Sequence, residues 1–600
     1  MEEFLADSDF RSALERIAGA QQRTVEETLR SAEGYLKEIA ARPSRFMVHV
    51  AAFLGRFLYR RAYGVIHYDR DALAAVSELS ARHPVVFLPC HRSNLDRPVM
   101  HYLLWKDRVG PNFTAGGINM NFFPIGPISR RAGVFFIRRS FANSPVYKLV
   151  LQTYFAYLVE QRLALEWYME GGRSRTGKLR SPRYGLLGYA ANALAAGKSE
   201  DIYLIPTSIN YDHVLEVGDY AAQECGFAKE RETFGWLVKS VRSLRKRYGD
   251  IHIRFGEPLS MSAMIGRDRT GSERRQDLQR LATTVCKRIN RVTPITPASL
   301  VAVALLAAPD RGTSRRDLEV AVAELVEHVE SRNLPTSEPL SLLRTRQGLD
   351  EVVGALADLG IAVVWNDEPG SQEPESLYGI AEGQRIAATY YRNTIVHFFL
   401  TPAIAELALA AAAKDGGVSG AIQTFDEYVA RLRDLLANEF FFEEYDHFLD
   451  EVVAQLDRRL PEWRNRLAEG SGLEAVAGLR PHRAPWALRS FLQAYLVAAE
   501  RLVDLPPEVP WNKGSFLAGC LDRGADYVSE GRIAAEACTL SLFSNAVRVA
   551  ARRGLLTPGL ENLSARRRSF ASELDHLLAL AGSLDSAPPS GTDRGIRRQT

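Results

Sequence analysis

His91 and Asp96 stand five positions apart in HRSNLD, directly after the apolar run VVFLPC. Such a run reads as a buried strand, and Pro98 suits the opening turn of a helix. The histidine therefore falls on a loop at a strand's carboxyl end and the aspartate near a helix start. If the loop bends back, Asp96 accepts the N–H of one ring nitrogen and leaves the other free to take a proton from a hydroxyl. The carboxylate fixes the tautomer and stabilises the imidazolium, as the acid does in a Ser-His-Asp triad. Here the hydroxyl belongs to the substrate, so no enzyme serine is required. The spacing alone is a weak signal, for which a structural histidine capping the helix is the default reading.

Three further segments add weight. GVFFIRRS places Arg138 and Arg139 after an apolar strand that ends in Phe136 and Ile137. WYMEGGRSRTGK carries Glu170, Gly171, Gly172, Arg173, Ser174, Arg175 and Lys178. Its two glycines allow close approach of a backbone whose N–H groups bind oxyanions, and its cations add charge. IPTSINYDHV sets Pro206 in a strand and His213 just after it. Taken singly, each basic segment reads as a solvated loop.

The elements that must position these residues are short apolar runs at 85–88, 134–137, 163–168, 202–209 and 251–255. They alternate with helical stretches at 98–105, 145–161 and 184–195. Strands alternating with helices give an α/β fold with a mostly parallel sheet, buried on both faces, and ligands bind beyond the carboxyl ends of its strands. Residues 81–260 hold 25 basic and 15 acidic side chains, and residues 128–183 alone hold eleven and three. A one-sign field over a cleft captures an anion, and guanidinium forks suit phosphate.

The 600 residues are too many for one core, and a formal charge of +3 argues against a chain that grips nucleic acid over its whole surface. Five scattered cysteines show no disulfide framework and no zinc spacing, as expected in a reducing compartment. The first ten residues show no secretory signal, and an intracellular location is expected. The expected domains are an N-terminal helical region (1–70), an α/β domain (71–295), a mainly helical C-terminal domain (296–582) and a disordered tail (583–600). Within the third, helices at 299–308, 315–332 and 349–359 precede two short strands at 361–365 and 376–380, the outline of a winged helix. Five basic against nine acidic residues over 314–360 make it a packing module rather than a DNA reader.

The four segments, in this order and all near strand ends, resemble the glycerophospholipid acyltransferase superfamily. Its blocks are HxxxxD, a Gly…FIRR segment, EGGRSRTGK and a Pro-containing strand. Bacterial membrane glycerol-3-phosphate acyltransferases are the most similar branch, through YGDIHIRFGEPLS, INRVTPITPASLVAVALLA, ATYYRNTIVHFFLTPAI and NEFFF as well, over roughly residues 45–450. The resemblance implies His91 as general base and Asp96 as its orienting partner. It also implies phosphate-substrate binding by Phe136, Ile137 and Arg139 and by Glu170, Gly171, Arg173 and Ser174. Pro206 would serve catalysis or acyl-donor binding. Arg138, Arg175 and Lys178 join the substrate-binding set on charge alone, and Gly172 on its backbone.

The implied reaction moves an acyl group from a thioester of coenzyme A or acyl carrier protein to glycerol 3-phosphate, giving lysophosphatidate. Its oxyanion would be held by backbone N–H groups of the block-one turn or of the Gly171–Gly172 loop. No cofactor or metal is expected, because His91, Asp96, His101 and Glu170 lack metal-site spacing. Related acceptors, dihydroxyacetone phosphate or a lysophospholipid, are the nearest alternative, and a non-catalytic lipid- or protein-binding scaffold is the alternative from another class. RFMVHVAAFLGRFLYRRAYGV at 45–65 reads as a basic amphipathic helix on anionic lipid or as a helix packed on the next domain. Peripheral or monotopic attachment to the cytoplasmic membrane face is the expectation, with the basic run 242–247 as a second contact or as a dock for acyl carrier protein.

Overall fold

A computed structural model describes residues 7–110, 112–141, 143–228, 247–266, 271–309, 312–365 and 376–586. Of the tail expected over 583–600, residues 587–600 lie outside them, as do all but the last residue of the basic run 242–247, whereas 583–586 belong to the helix Leu563–Ser586 and not to a disordered tail. The chain divides into two compact units. The first comprises residues 1–174, 179–215 and 230–294, and the second residues 175–178, 216–229 and 295–600. The N-terminal helices thus belong to the α/β unit.

The sheet of the first unit is built from β1 (Ile66–Tyr68), β2 (Val85–Pro89), β3 (Phe113–Gly117), β4 (Val134–Ile137), β5 (Leu165–Glu166), β6 (Tyr203–Tyr211), β7 (Ile251–Phe255) and β8 (Leu259–Ser260). Their order is β1-β7-β6-β2-β5-β3-β4, with β8 paired to β6. All pairings are parallel except β6–β7 and β6–β8. The β-branched and aromatic residues of β2, Val85, Val86 and Phe87, are completely buried, as a strand covered on both faces requires.

Three strands of this sheet were not foreshadowed, among them the two-residue β8 against β6. β3 (FTAGG) has no apolar run and exists because β5 and β4 flank it, while β1 is a three-residue edge against β7. The run at 163–168 contributes only Leu165 and Glu166. After Glu166 the backbone turns, the Gly171 N–H meeting the Tyr168 carbonyl at 3.1 Å. Because β2, β3, β4, β5 and β6 run parallel along the path β6-β2-β5-β3-β4, the ends of β2, β4 and β5 deliver the first three blocks to one edge of the sheet.

In the second unit, helices Pro297–Ala307, Arg315–Ser331 and Arg346–Asp358 accompany an antiparallel sheet of β9 (Thr313–Ser314), β10 (Ala362–Trp365) and β11 (Leu377–Ile380), in the order β10-β11-β9. This matches the three helices and hairpin expected from sequence, with a short third strand added. Leu318, Val322, Val326, Leu349, Val353 and Leu356 fill its core.

A larger helical core surrounds the helix Leu400–Asp415, whose residues from Pro402 to Ala412 are all buried. Its one interior charge, Glu406, is held by Arg459 (2.9 Å) and by the N–H groups of Arg483 and Ala484 (2.5 and 2.9 Å). No single described helix is long and apolar enough to cross a membrane; the pair Arg385–Phe398 and Leu400–Asp415 passes by length and composition but is bent by 78°. Burial around a paired Glu406 makes Leu400–Asp415 a core helix.

Candidate active site

β2 ends at Pro89 and the helix Asp96–Lys106 begins seven residues later, so block one is a tight loop whose start and end face each other. Asp96 is fully buried at the first turn of that helix. One of its oxygens, Oδ2, accepts the N–H groups of Arg92 (2.7 Å) and Ser93 (3.0 Å) and lies 2.8 Å from His91 Nδ1. Its other oxygen accepts the Tyr211 hydroxyl at 2.6 Å. With donors on both oxygens Asp96 is an acceptor throughout, so Nδ1 carries the imidazole proton and Nε2 presents its lone pair. Nε2 has no hydrogen-bond partner among the described residues, and the His91 side chain is 23% exposed.

Two backbone contacts and one ring contact fix His91. The His91 N–H donates to Glu170 Oε1 at 2.7 Å, and its carbonyl accepts the Ser174 N–H at 2.7 Å. The Tyr168 ring lies against it, centroids 4.2 Å apart. The Tyr168 hydroxyl reaches Glu166 at 2.9 Å, inside a buried group that includes Asn112. Burial pushes the Glu166 carboxyl up to about 7, against the lowering influence of Arg97 and of its hydrogen bonds. Cys90, next to the histidine, is not a nucleophile. Burial raises its thiol pKa, and its sulfur is bonded to the Ile209 backbone at 3.2 and 3.3 Å.

The expected substrate-binding residues fall into distinct environments. Arg139 is exposed just beyond β4, and Ile137 is half-buried at its end, whereas Phe136 is buried with Arg130 over its ring. Arg138 must be reassigned. Its guanidinium makes two 2.7 Å bonds to Glu38 and lies over the Tyr35 and Tyr147 rings, so its fork is already filled.

Glu170 also differs from expectation. Both its oxygens accept backbone N–H groups, of His91 and of Arg180 (3.0 Å), and a carboxylate has the wrong sign to face a phosphate. It ties block three to block one. Lys178 belongs to the second unit, where it is buried in an ion pair with Glu439, so it too is withdrawn from the phosphate ligands. Arg175 is exposed, Arg173 half-buried and Ser174 buried. Pro206 lies within β6, opposite Leu88 of β2, and its carbonyl accepts the Gly256 N–H at 2.7 Å.

The block-one turn cannot hold an oxyanion with the amides of His91, Arg92, Ser93 or Leu95, since each already has an acceptor. In the glycine loop, the Gly171 N–H meets Tyr168, and the Gly172 N–H has no partner among the described residues. Gly171 has φ +65°, and the Arg183 side chain covers the place where a Cβ would stand. Sequence reasoning passed over Tyr168, Arg180, Arg183 and Tyr211. The first three stand inside or beside block three, but Tyr211 carries no local signal. Among the described residues no group of three or more His, Cys, Asp or Glu is placed to hold a metal; His101 is bonded instead to Asn112 (3.1 Å) and the Val48 carbonyl (3.2 Å).

A carboxylate-oriented histidine at the end of a parallel strand, close in sequence order to basic segments and a glycine turn, is the arrangement a hydroxyl-activating transferase on an α/β scaffold requires. The acyltransferase family model matches residues 70–210, and the model of the glycerol-3-phosphate acyltransferase C-terminal region matches residues 220–559. The chain is 34% identical over 583 residues to the protein named acyltransferase plsB1 in Mycobacterium tuberculosis (strain ATCC 25618 / H37Rv). That alignment covers 94% of this chain and 90% of the relative, and the plsB1 of Mycobacterium bovis matches equally. The crystal structure of the lysophosphatidate acyltransferase PlsC from Thermotoga maritima aligns at 16% identity and a TM-score of 0.25, over 41% of this chain and 76% of that one. This chain belongs to the glycerol-3-phosphate acyltransferase family, and its reaction joins an acyl group to glycerol 3-phosphate.

Proposed function

We propose that His91 is the general base of this acyl transfer, with a coenzyme A or acyl carrier protein thioester as donor and no metal or other cofactor. The observation that carries the reading is the saturated Asp96 carboxylate, which leaves Nε2 of His91 as the basic atom at the sheet edge. Nε2 removes the proton of the primary hydroxyl as its oxygen bonds to the thioester carbonyl carbon. The resulting oxyanion is received by the Gly172 N–H, the unpartnered amide of the glycine turn. Collapse breaks the carbon–sulfur bond, and His91 returns its proton to the departing thiolate. Arg139 and Arg173 attract the phosphate.

Attachment to the cytoplasmic membrane face is supported by the helix Arg45–Ala62. Small residues on one side, Ala52 and Gly55, let it press against the helix Asp96–Lys106, and a Cβ on Gly55 would stand 2.6 Å from the Pro98 carbonyl oxygen. The opposite side exposes Phe46 (73%), Val50, Phe53 (71%), Leu54 and Phe57 in one stripe. Arg56, Arg60 and Arg61 are exposed beside it. Aromatic burial in a lipid interface flanked by arginines on anionic headgroups suits that pattern.

The test follows radiolabelled glycerol 3-phosphate into organic-extractable lysophosphatidate with each thioester in turn. Wild type should be active and folded His91→Ala inactive; activity that survives His91→Ala would reject the mechanism. In vesicle sedimentation, Phe46→Ser/Phe53→Ser should lose binding to anionic liposomes, and retention equal to wild type would reject the membrane assignment.

A further inference from the structure

Within the first unit the His91 imidazole has a second neighbour besides Asp96. The Tyr168 ring lies against it, centroids 4.2 Å apart and planes 33° from parallel, while Nδ1 stands 2.8 Å from Asp96. That ring is anchored at its far end. Its hydroxyl reaches Glu166 Oε1 at 2.9 Å, and Glu166 is completely buried at the end of β5. The other Glu166 oxygen is bonded to the Asn112 side-chain amide and lies 3.5 Å from the Thr114 hydroxyl. Asn112 is bonded in turn to His101 at 3.1 Å. All of these residues belong to the unit that carries the sheet. A residue that only filled space beside His91 would need no hydroxyl sunk into a buried polar group.

We propose that Tyr168 is a positioning residue for acyl transfer, its ring holding the His91 imidazole beside Asp96 and favouring the imidazolium that forms there. The face of an aromatic ring carries partial negative charge, so it attracts a cation within about 6 Å of its centroid more than it attracts the neutral ring. His91 becomes that cation only as Nε2 takes the hydroxyl proton. The attraction is therefore stronger in the transition state than in the ground state, which is the condition for raising kcat. Asp96 acts on the edge of the imidazole and Tyr168 on its face. This inference rests on the reading of His91 as general base.

The experiment compares Tyr168→Phe with Tyr168→Leu in the full chain. Both remove the hydroxyl and take the same donor from Glu166, so that loss cancels and the pair differs in the aromatic face. Tyr168→Phe should keep kcat within twofold of wild type and leave the acid limb of the kcat/KM profile in place. Tyr168→Leu should lower kcat about fivefold and move the acid limb to lower pH by about 0.7, because losing the face weakens the base. Both KM values should stay within twofold. A folded Tyr168→Leu protein with the wild-type profile would overturn the proposal. Equal losses in the two variants would overturn it as well, by assigning the effect to the hydroxyl. A rate that falls only with the folded fraction, the acid limb unmoved, would overturn it as a packing role. His91→Ala run alongside separates the two levels. Activity surviving in that variant rejects the general base and this inference with it, whereas inactive His91→Ala beside an unmoved limb in Tyr168→Leu rejects this inference alone.

Discussion

Replacing Asp96 by Asn tests the catalytic arrangement most directly, because four donors define what the substitution can do. Oδ2 faces His91 Nδ1 and two backbone N–H groups, whereas Oδ1 faces only the Tyr211 hydroxyl. An asparagine will therefore place its carbonyl oxygen at the Oδ2 position and its NH2 toward Tyr211, whose hydroxyl rotates to accept. His91 keeps its tautomer, and what disappears is the negative charge that stabilises the imidazolium formed in the transition state. Where loss of the acid also disturbs the tautomer in serine proteases, kcat falls about 10^4-fold. With the tautomer held here, the expected fall is about 10^2- to 10^3-fold, equivalent to roughly 3–4 kcal/mol. Asp96→Ala should behave differently, leaving all four donors without their acceptor and destabilising the α/β unit by about 3–5 kcal/mol. The assay is steady-state kcat for lysophosphatidate formation, with thermal melting run in parallel. A folded Asp96→Asn protein within threefold of wild-type kcat would refute the reasoning.

Three other outcomes are expected. Glu166, raised from 4.5 to about 7 chiefly by burial, binds its proton more tightly folded than unfolded. Its contribution is therefore fully present below pH 4.5 and is lost as pH rises toward 7, by about 3 kcal/mol at most. Urea titrations should show the stability of Glu166→Gln relative to wild type increasing across that window, and a flat difference would contradict the burial argument. Arg138→Met should lower stability by about 1 kcal/mol through loss of the Glu38 pair, with the KM for glycerol 3-phosphate nearly unchanged. Arg139→Met should do the reverse, raising that KM about tenfold with little change in melting temperature, and equal effects of the two on KM would undo the distinction. Gly171→Ala, strained at φ +65° and meeting the Arg183 side chain, should lower kcat/KM at least tenfold, and a wild-type value would show that the turn tolerates a Cβ.

Much of the catalytic centre is local, and for that reason legible. His91 and Asp96 stand five positions apart between a strand and a helix, so their pairing was open to reading from the sequence once the other blocks gave it weight, and the 2.8 Å contact shows it. The strands 134–137 and 251–255 were readable because buried parallel strands need continuous apolar runs. β3 was not, since FTAGG becomes a strand only through the neighbours that flank it. Charge counting located the basic region but could not distinguish a free guanidinium from a filled one. Arg138 meets Glu38 across 100 residues of chain, Lys178 meets Glu439 across 261, and Tyr211 reaches Asp96 across 115. Such partners are brought together by the sheet order and the helical packing, and they decide which side chains are already satisfied. The amino-acid sequence by itself carried the reaction class, through four short blocks that together resemble one family, and it placed His91 and Asp96 close enough to pair, because both features reside in short segments. Only the tertiary structure decided which cations are already paired, as Arg138 and Lys178 are, because burial and pairing depend on groups far apart along the chain.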